Sequence, residues 1–233
     1  MTLSYDLVLF DADGTLWDYD AGERRALGEA LEHAGLPSDQ DVIRRYRAIN
    51  AELWALIERG VVSTEFVRVE RFRRFLAEIG STVNAERVAV DYLNRLARQA
   101  IPMDGAADLL KTLSGHVRMA ILTNGISEVQ RSRFALSGYG AHIEQLIISE
   151  EVGVAKPDPA IFAFAMSAMG CQDRRRVLMV GDSLTSDIRG GAAADIATCW
   201  FNPSAAPNTS DTVPDYEIRR LSELCSIVGL SGH

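Results

Sequence analysis

The sequence predicts an α/β fold: one parallel sheet with helices on both faces and a helical insertion after its first strand. Three observations predict it. Residues 5–10 form a short apolar run that ends at Asp11 and leaves no solvated face, as a buried strand does. Residues 16–100 carry helical patterning throughout. From residue 101 onward, apolar runs alternate with helical stretches, the signature of a parallel sheet.

Taken in order, the insertion divides into four helices. The first covers residues 21–34 and stops at Gly35-Leu36-Pro37. The second follows Ser38 and Asp39; Val42, Tyr46, Ile49, Leu53 and Ile57 recur at spacings of three and four, and Gly60 ends it. The third starts near Ser63, carries Phe72, Phe75, Leu76 and Ile79, and ends at Gly80. The fourth starts at Asn84, which has the right side chain for an N-cap, and ends before Pro102. Each apolar stripe is narrow, so the four helices are expected to bury against one another. After the insertion, strands are expected at residues 119–122, 146–148, 177–180 and 197–201, and residues 202–214, rich in Pro, Ser, Thr and Asn, read as a loop.

Composition narrows the function. The chain has 233 residues and a net charge of −8, a poor balance for gripping a nucleic acid polymer. A small phosphorylated ligand remains open, because local charge can oppose net charge. No stretch is long and apolar enough to span a membrane, and the first residues lack the basic and apolar regions of a signal peptide. Cys171, Cys199 and Cys225 are too few and too scattered for a disulfide framework, which fits a reduced, cytoplasmic setting. His33, His116, His142 and His233 match no metal-ligand spacing. Arg68, Arg71, Arg73 and Arg74 interleave with Glu65, Glu70 and Glu78 and read as a solvated face.

Four polar clusters fall at strand ends. Asp11-Ala12-Asp13-Gly14-Thr15 follows the first strand, and Gly14 permits the tight turn that places two carboxylates at the sheet edge. Thr123-Asn124-Gly125 ends the second. Lys156-Pro157 precedes a helix. Gly181-Asp182-Ser183, with Asp187 beyond, ends another. Ligands of open parallel sheets bind at the carboxyl ends of the strands, so the clusters point to one site.

In this order the clusters resemble the four motifs of the haloacid dehalogenase superfamily, and the resemblance covers nearly the whole chain. It implies a Rossmann-like core of residues 1–15 and 101–233, with residues 16–100 as an inserted four-helix cap. Within the superfamily the chain is most similar to the bacterial house-cleaning pyrimidine 5′-nucleotidases. That similarity rests on the runs at residues 148–158, 176–182 and 197–200, and on Ala48-Ile49-Asn50-Ala51-Glu52-Leu53-Trp54 in the cap. In one place the pattern departs: relatives usually carry glycine where this chain has Asp195, at the left-handed end of a helix.

The resemblance implies a phosphomonoesterase that works through an aspartyl-phosphate on a small cytosolic substrate, as a monomer or homodimer. Asp11 is then the nucleophile, and Asp13 the acid that protonates the leaving alkoxide and later deprotonates water. Four carboxylates around a phosphate dianion call for a cation, and Mg²⁺ suits oxygen ligands. By resemblance its ligands are the Asp11 carboxylate, the Asp13 carbonyl and the Asp182 carboxylate. Lys156 sets a positive charge against Asp11 and the phosphate, Thr123 and the Asn124 backbone donate to the phosphoryl group, and Asp187 orients Lys156 or a water on the metal. Trp17, Asn50 and Trp54 are the candidates for meeting the leaving group, by stacking and by amide pairing with a pyrimidine edge. A sugar-phosphate phosphatase or a phosphomutase is the nearest alternative. A 2-haloacid dehalogenase is disfavoured because a departing halide needs no acid at Asp13. A non-catalytic binding module would be expected to lack Asp11 or Asp182.

Overall fold

The computed structural model describes residues 3–230, so His233 lies outside the described residues. Six parallel strands form one sheet in the order β3-β2-β1-β4-β5-β6. They are β1 (Leu7–Phe10), β2 (Arg118–Thr123), β3 (Gln145–Ile148), β4 (Val177–Gly181), β5 (Ala197–Phe201) and β6 (Tyr216–Ile218). The strand order reverses at β1, which lies between β2 and β4. A doubly wound sheet opens its ligand crevice at that reversal, beyond the carboxyl end of β1.

Why both faces are covered follows from the strands themselves. Every residue of β1 and of β4 is buried. Val8 and Phe10 face one side, against Leu109, Leu110 and Leu113 of α5 (Ala106–Leu113). Leu7 and Leu9 face the other, against Ile161, Phe162 and Ala165 of α8 (Pro159–Ala168). The alternation is the period of two that any strand imposes. The remaining core helices are α6 (Ser127–Ser137), α7 (Ser149–Val152), α9 (Arg189–Ala193) and α10 (Leu224–Ile227).

Between β1 and α5 the chain builds four helices: α1 (Tyr19–His33), α2 (Gln40–Glu58), α3 (Thr64–Glu78) and α4 (Ala85–Leu96). Asp39, Ser63 and Asn84 each accept a hydrogen bond from the first turn of the helix they precede, as Asp18 does for α1. The expected stripe of α2, Val42 to Ile57, is buried in a core of its own with Phe72, Phe75 and Tyr92. The two crossings between this bundle and the sheet run side by side. Asp18 N–H donates to Ile101 C=O and Met103 N–H to Leu16 C=O, both at 2.9 Å.

Three sequence expectations change. The first strand is shorter than residues 5–10, because Tyr5 is buried but precedes the ladder. A sixth strand follows the loop at 202–214; it has three residues and buries only Ile218, so no alternation marks it. Arg71 does not lie on a solvated face. It is 1% exposed, with its guanidinium 4.9 Å from the Tyr92 ring centroid, while Arg73 and Arg74 are exposed as expected. Asp195 adopts φ 55°, the left-handed backbone anticipated where relatives carry glycine.

Candidate active site

The four motifs meet beyond the carboxyl end of β1. Asp11 follows the strand directly, and its N–H donates to Val180 C=O at 2.8 Å, which fixes the turn against β4. Gly14 in that turn has φ 85°, and a Cβ there would run into the Asp182 carboxylate. The glycine thus serves both the backbone geometry and the approach of the first motif to the fourth. At Gly181 the reason is space alone: a Cβ would overlap the Asp187 carboxylate.

Lys156 is the hub. Its ammonium donates to Asp11 Oδ1 at 2.6 Å and to Leu122 C=O at 2.6 Å, and it pairs with Asp187 Oδ1 at 2.7 Å. The side chain is 1% exposed. Burial lowers its proton affinity; the Asp11 and Asp187 carboxylates outweigh burial and hold it charged, above the usual lysine range. The Asn124 amide locks the backbone of Lys156 from both sides. Its Nδ2 donates to Lys156 C=O at 2.8 Å, and its Oδ1 accepts from Lys156 N–H at 2.9 Å. Thr123 Oγ1 accepts from Gly125 N–H at 3.0 Å, which closes the turn after β2.

Carboxylates outnumber the ammonium. Burial, and then the charge of Asp187, push Asp182 up to about 7; burial and the neighbouring carboxylates also raise Asp11, against the pull of Lys156. Ligand oxygens of Asp11, Asp182 and Asp187 lie within 4.8 Å of one another. An all-oxygen set with excess negative charge is the donor chemistry that Mg²⁺ takes. Asp187 is already engaged: Oδ2 accepts from Ser183 N–H at 3.0 Å while Oδ1 meets Lys156.

A cavity of about 240 Å³ opens over these groups. Its walls include Asp11, Asp13, Thr123, Asn124, Lys156 and Asp182 from the sheet edge, and Tyr19, Asn50, Trp54 and Glu58 from the bundle. Of the expected leaving-group residues, Trp54 stands in this cleft half-buried. Asn50 lines it too, but its amide is engaged within the bundle: Nδ2 donates to Glu23 at 3.1 Å, and Oδ1 accepts from Arg71 at 3.2 Å. Trp17 is not brought there. It is fully buried, with its ring stacked on Tyr139 at 6.1 Å between centroids.

A family model described as haloacid dehalogenase-like hydrolase matches residues 5–195. The chain belongs to that family. Among known proteins, this haloacid dehalogenase-like hydrolase is 34% identical to the HAD-hydrolase YfnB of Bacillus subtilis, over 97% of this chain and 96% of that one. It is also 34% identical to the pyrimidine 5′-nucleotidase YjjG of Escherichia coli, covering 95% and 97%. The same identity holds with the pyrimidine 5′-nucleotidase PynA of Streptococcus pneumoniae, covering 94% and 93%. The crystal structure of YfnB bound to magnesium superposes with a TM-score of 0.90, over 97% of this chain and 99% of that one.

The hydrolase's cleft also contains groups that the motifs do not mark. Glu58 follows Asn50 and Trp54 on one face of α2, at spacings of four, so helical periodicity could have found it. It accepts from Thr185 Oγ1 at 3.0 Å, across to the turn after β4. Arg68 likewise reaches from α3 to Glu128 at 2.7 Å and Glu150 at 3.0 Å. Nothing local in sequence signals those contacts. No helix among the described residues is long and apolar enough to cross a membrane.

Proposed function

We propose that the protein is a Mg²⁺-dependent phosphomonoesterase of the cytoplasm that hydrolyses nucleoside 5′-monophosphates, with a preference for pyrimidines. The observation that carries the reading is Asp11, held at 2.6 Å by a buried lysine in the wall of a cleft that Trp54 also lines. The names of YjjG and PynA support the substrate class.

The residues divide the work as follows. Asp11 attacks phosphorus and becomes an aspartyl-phosphate as the bond to the leaving oxygen breaks. Asp13, as the acid, gives that oxygen its proton, then takes one from the water that attacks phosphorus as the bond to Asp11 breaks, which restores the Asp11 carboxylate and the Asp13 acid. Lys156, aligned by Asn124 and Asp187, faces the phosphoryl oxygens with a fixed positive charge, and Thr123 and the Asn124 N–H donate to them. The Asp11 and Asp182 carboxylates and the Asp13 carbonyl would hold Mg²⁺, which would supply charge neutralisation for the dianion. Residues 1–15 and 101–233 form the catalytic core. Residues 16–100 form a cap, joined to the core by contacts through Glu58 and Arg68.

The test is inorganic phosphate release from purine and pyrimidine monophosphates beside hexose and triose phosphates, with a chelator control. Selective release from UMP, dUMP or dTMP that chelation abolishes is the expected result. Release from sugar phosphates alone would retain the chemistry and overturn the nucleotide reading. A bisphosphate that persists without free phosphate would mark a mutase.

Trp54 gives a sharper check on the cap. Stacking on a base is worth about 1–3 kcal/mol, so Trp54→Ala is expected to lower kcat/KM for UMP by about 5- to 150-fold. Glycerol phosphate, which has no ring to stack, should change little. Equal losses on both substrates would remove Trp54 from substrate contact.

A further inference from the structure

Asp13 does not stand alone beside the cleft. Gln130 Nε2 donates to its Oδ2 at 2.6 Å, and Arg133 Nη1 donates to its Oδ1. Both donors come from α6, three residues apart and therefore on one helix face. Gln130 is 1% exposed and Arg133 fully buried. A buried guanidinium is unfavourable without a partner, and the carboxylate paired with Arg133 is that of Asp13.

The surroundings are shaped for the same contact. A Cβ on Gly125 would collide with the Gln130 side chain, so the glycine of the second motif leaves the space through which Gln130 reaches Asp13. Arg133 Nε donates to Leu96 C=O, at the end of α4, at 3.3 Å. Its guanidinium lies 5.8 Å from the Trp17 ring centroid and 5.7 Å from that of Tyr19. One buried side chain therefore meets Asp13, the crossing into the bundle at Trp17 and Tyr19, and the last residue of α4.

We infer that Gln130 and Arg133 are positioning residues that fix the two oxygens of Asp13 for proton transfer to the leaving group. The inference rests on the assignment of Asp13 as acid and base in the proposed phosphomonoesterase. Proton transfer requires the two heavy atoms within about 2.6–3.2 Å, and a carboxyl free to rotate is in line only part of the time. The donors remove that freedom, one at each oxygen. In the step they serve, the Asp13 O–H bond breaks and the new O–H forms on the departing oxygen as its bond to phosphorus breaks. The attacking water later returns the proton.

Leaving-group dependence separates this role from a structural one. UMP departs as an alkoxide that needs the proton; p-nitrophenolate departs without it. The first chemical step governs kcat/KM for both. Asp13→Asn is expected to lower kcat/KM for UMP by about 10²- to 10⁴-fold, the usual range for general acid catalysis, with a far smaller loss on p-nitrophenyl phosphate. Gln130→Met and Arg133→Lys should show the same split at about 10-fold or more, since a misplaced acid loses part of that range. Neither should reduce UMP turnover further when combined with Asp13→Asn. An unchanged ratio of the two substrates in Gln130→Met and Arg133→Lys, or losses that add to that of Asp13→Asn, would overturn the inference and leave the proposed function standing. An unchanged ratio in Asp13→Asn itself would overturn the acid assignment and the inference with it. Gln130→Met removes no charge and nearly keeps the volume, so it decides the matter if the Arg133 variant does not fold.

Discussion

Asp11→Asn is expected to abolish turnover, by about 10⁴-fold or more in kcat, because an amide cannot form the acyl-phosphate that divides the reaction. The fold should survive. Lys156 keeps its contacts to Asp187 and to Leu122 C=O when Asp11 loses its charge. Neutralising Asp11 also relieves the crowding by Asp182 and Asp187 that raises its own proton affinity. The thermal midpoint of the variant should therefore lie within a few degrees of the parent. Phosphate release and brief incubation with labelled substrate provide the check: the parent should hold acid-stable label on the chain, and the variant none. Retained turnover with a folded chain would transfer the nucleophile's role away from Asp11.

The architecture was legible where one kind of local signal decides an outcome. β1 and β4 are buried on both faces, so their sequences are continuous apolar runs bounded by Asp11 and by Gly181-Asp182. Asp39, Ser63 and Asn84 announce three helices because a short polar side chain at the N-cap accepts from the first N–H groups. The convergence of the motifs after β1, β2 and β4 was legible for a topological reason: parallel strands all end at one edge; Lys156 reaches that edge from the loop after α7. β6 was not, because three residues with one buried side chain carry no period.

What escaped the sequence was the choice of partner. Arg71 and Arg73 sit two residues apart on α3, yet one is buried against Asn50 and Tyr92 and the other is exposed. The interleaved glutamates gave both the same local context. The motif assigns the Asn124 backbone N–H to the phosphoryl group; the separate task of its side-chain amide, which secures the backbone of Lys156 32 residues on, has no local signal. Gln130 and Arg133 lie in an ordinary helical stretch, and only the tertiary placement of α6 against the Asp13 turn distinguishes them. Long-range polar pairing is set by how elements dock, and no periodicity encodes it.

Lys156→Met should damage both stability and activity, and the two losses should separate on a second substitution. The ammonium is buried between Asp11 and Asp187. Without it two carboxylates face each other, desolvated and unpaired. Breaking a buried ion pair from one side costs about 3–5 kcal/mol, and at about 2–4 °C per kcal/mol for a chain of this size the midpoint should fall by about 6–20 °C. Activity should fall further, by about 10²- to 10³-fold in kcat, since one fixed donor to the developing charge is gone. Adding Asp187→Asn to Lys156→Met removes one of the stranded charges, and the amide can still accept from Ser183 N–H, as the carboxylate does at 3.0 Å. The double variant is therefore expected to regain part of the lost midpoint in thermal unfolding and none of the lost turnover. Recovery of both would mean that Lys156 acts only by holding the carboxylates together. Recovery of neither would mean that the damage lies in packing around the lysine stem, and that the charge pairing is not what stabilises this edge of the sheet.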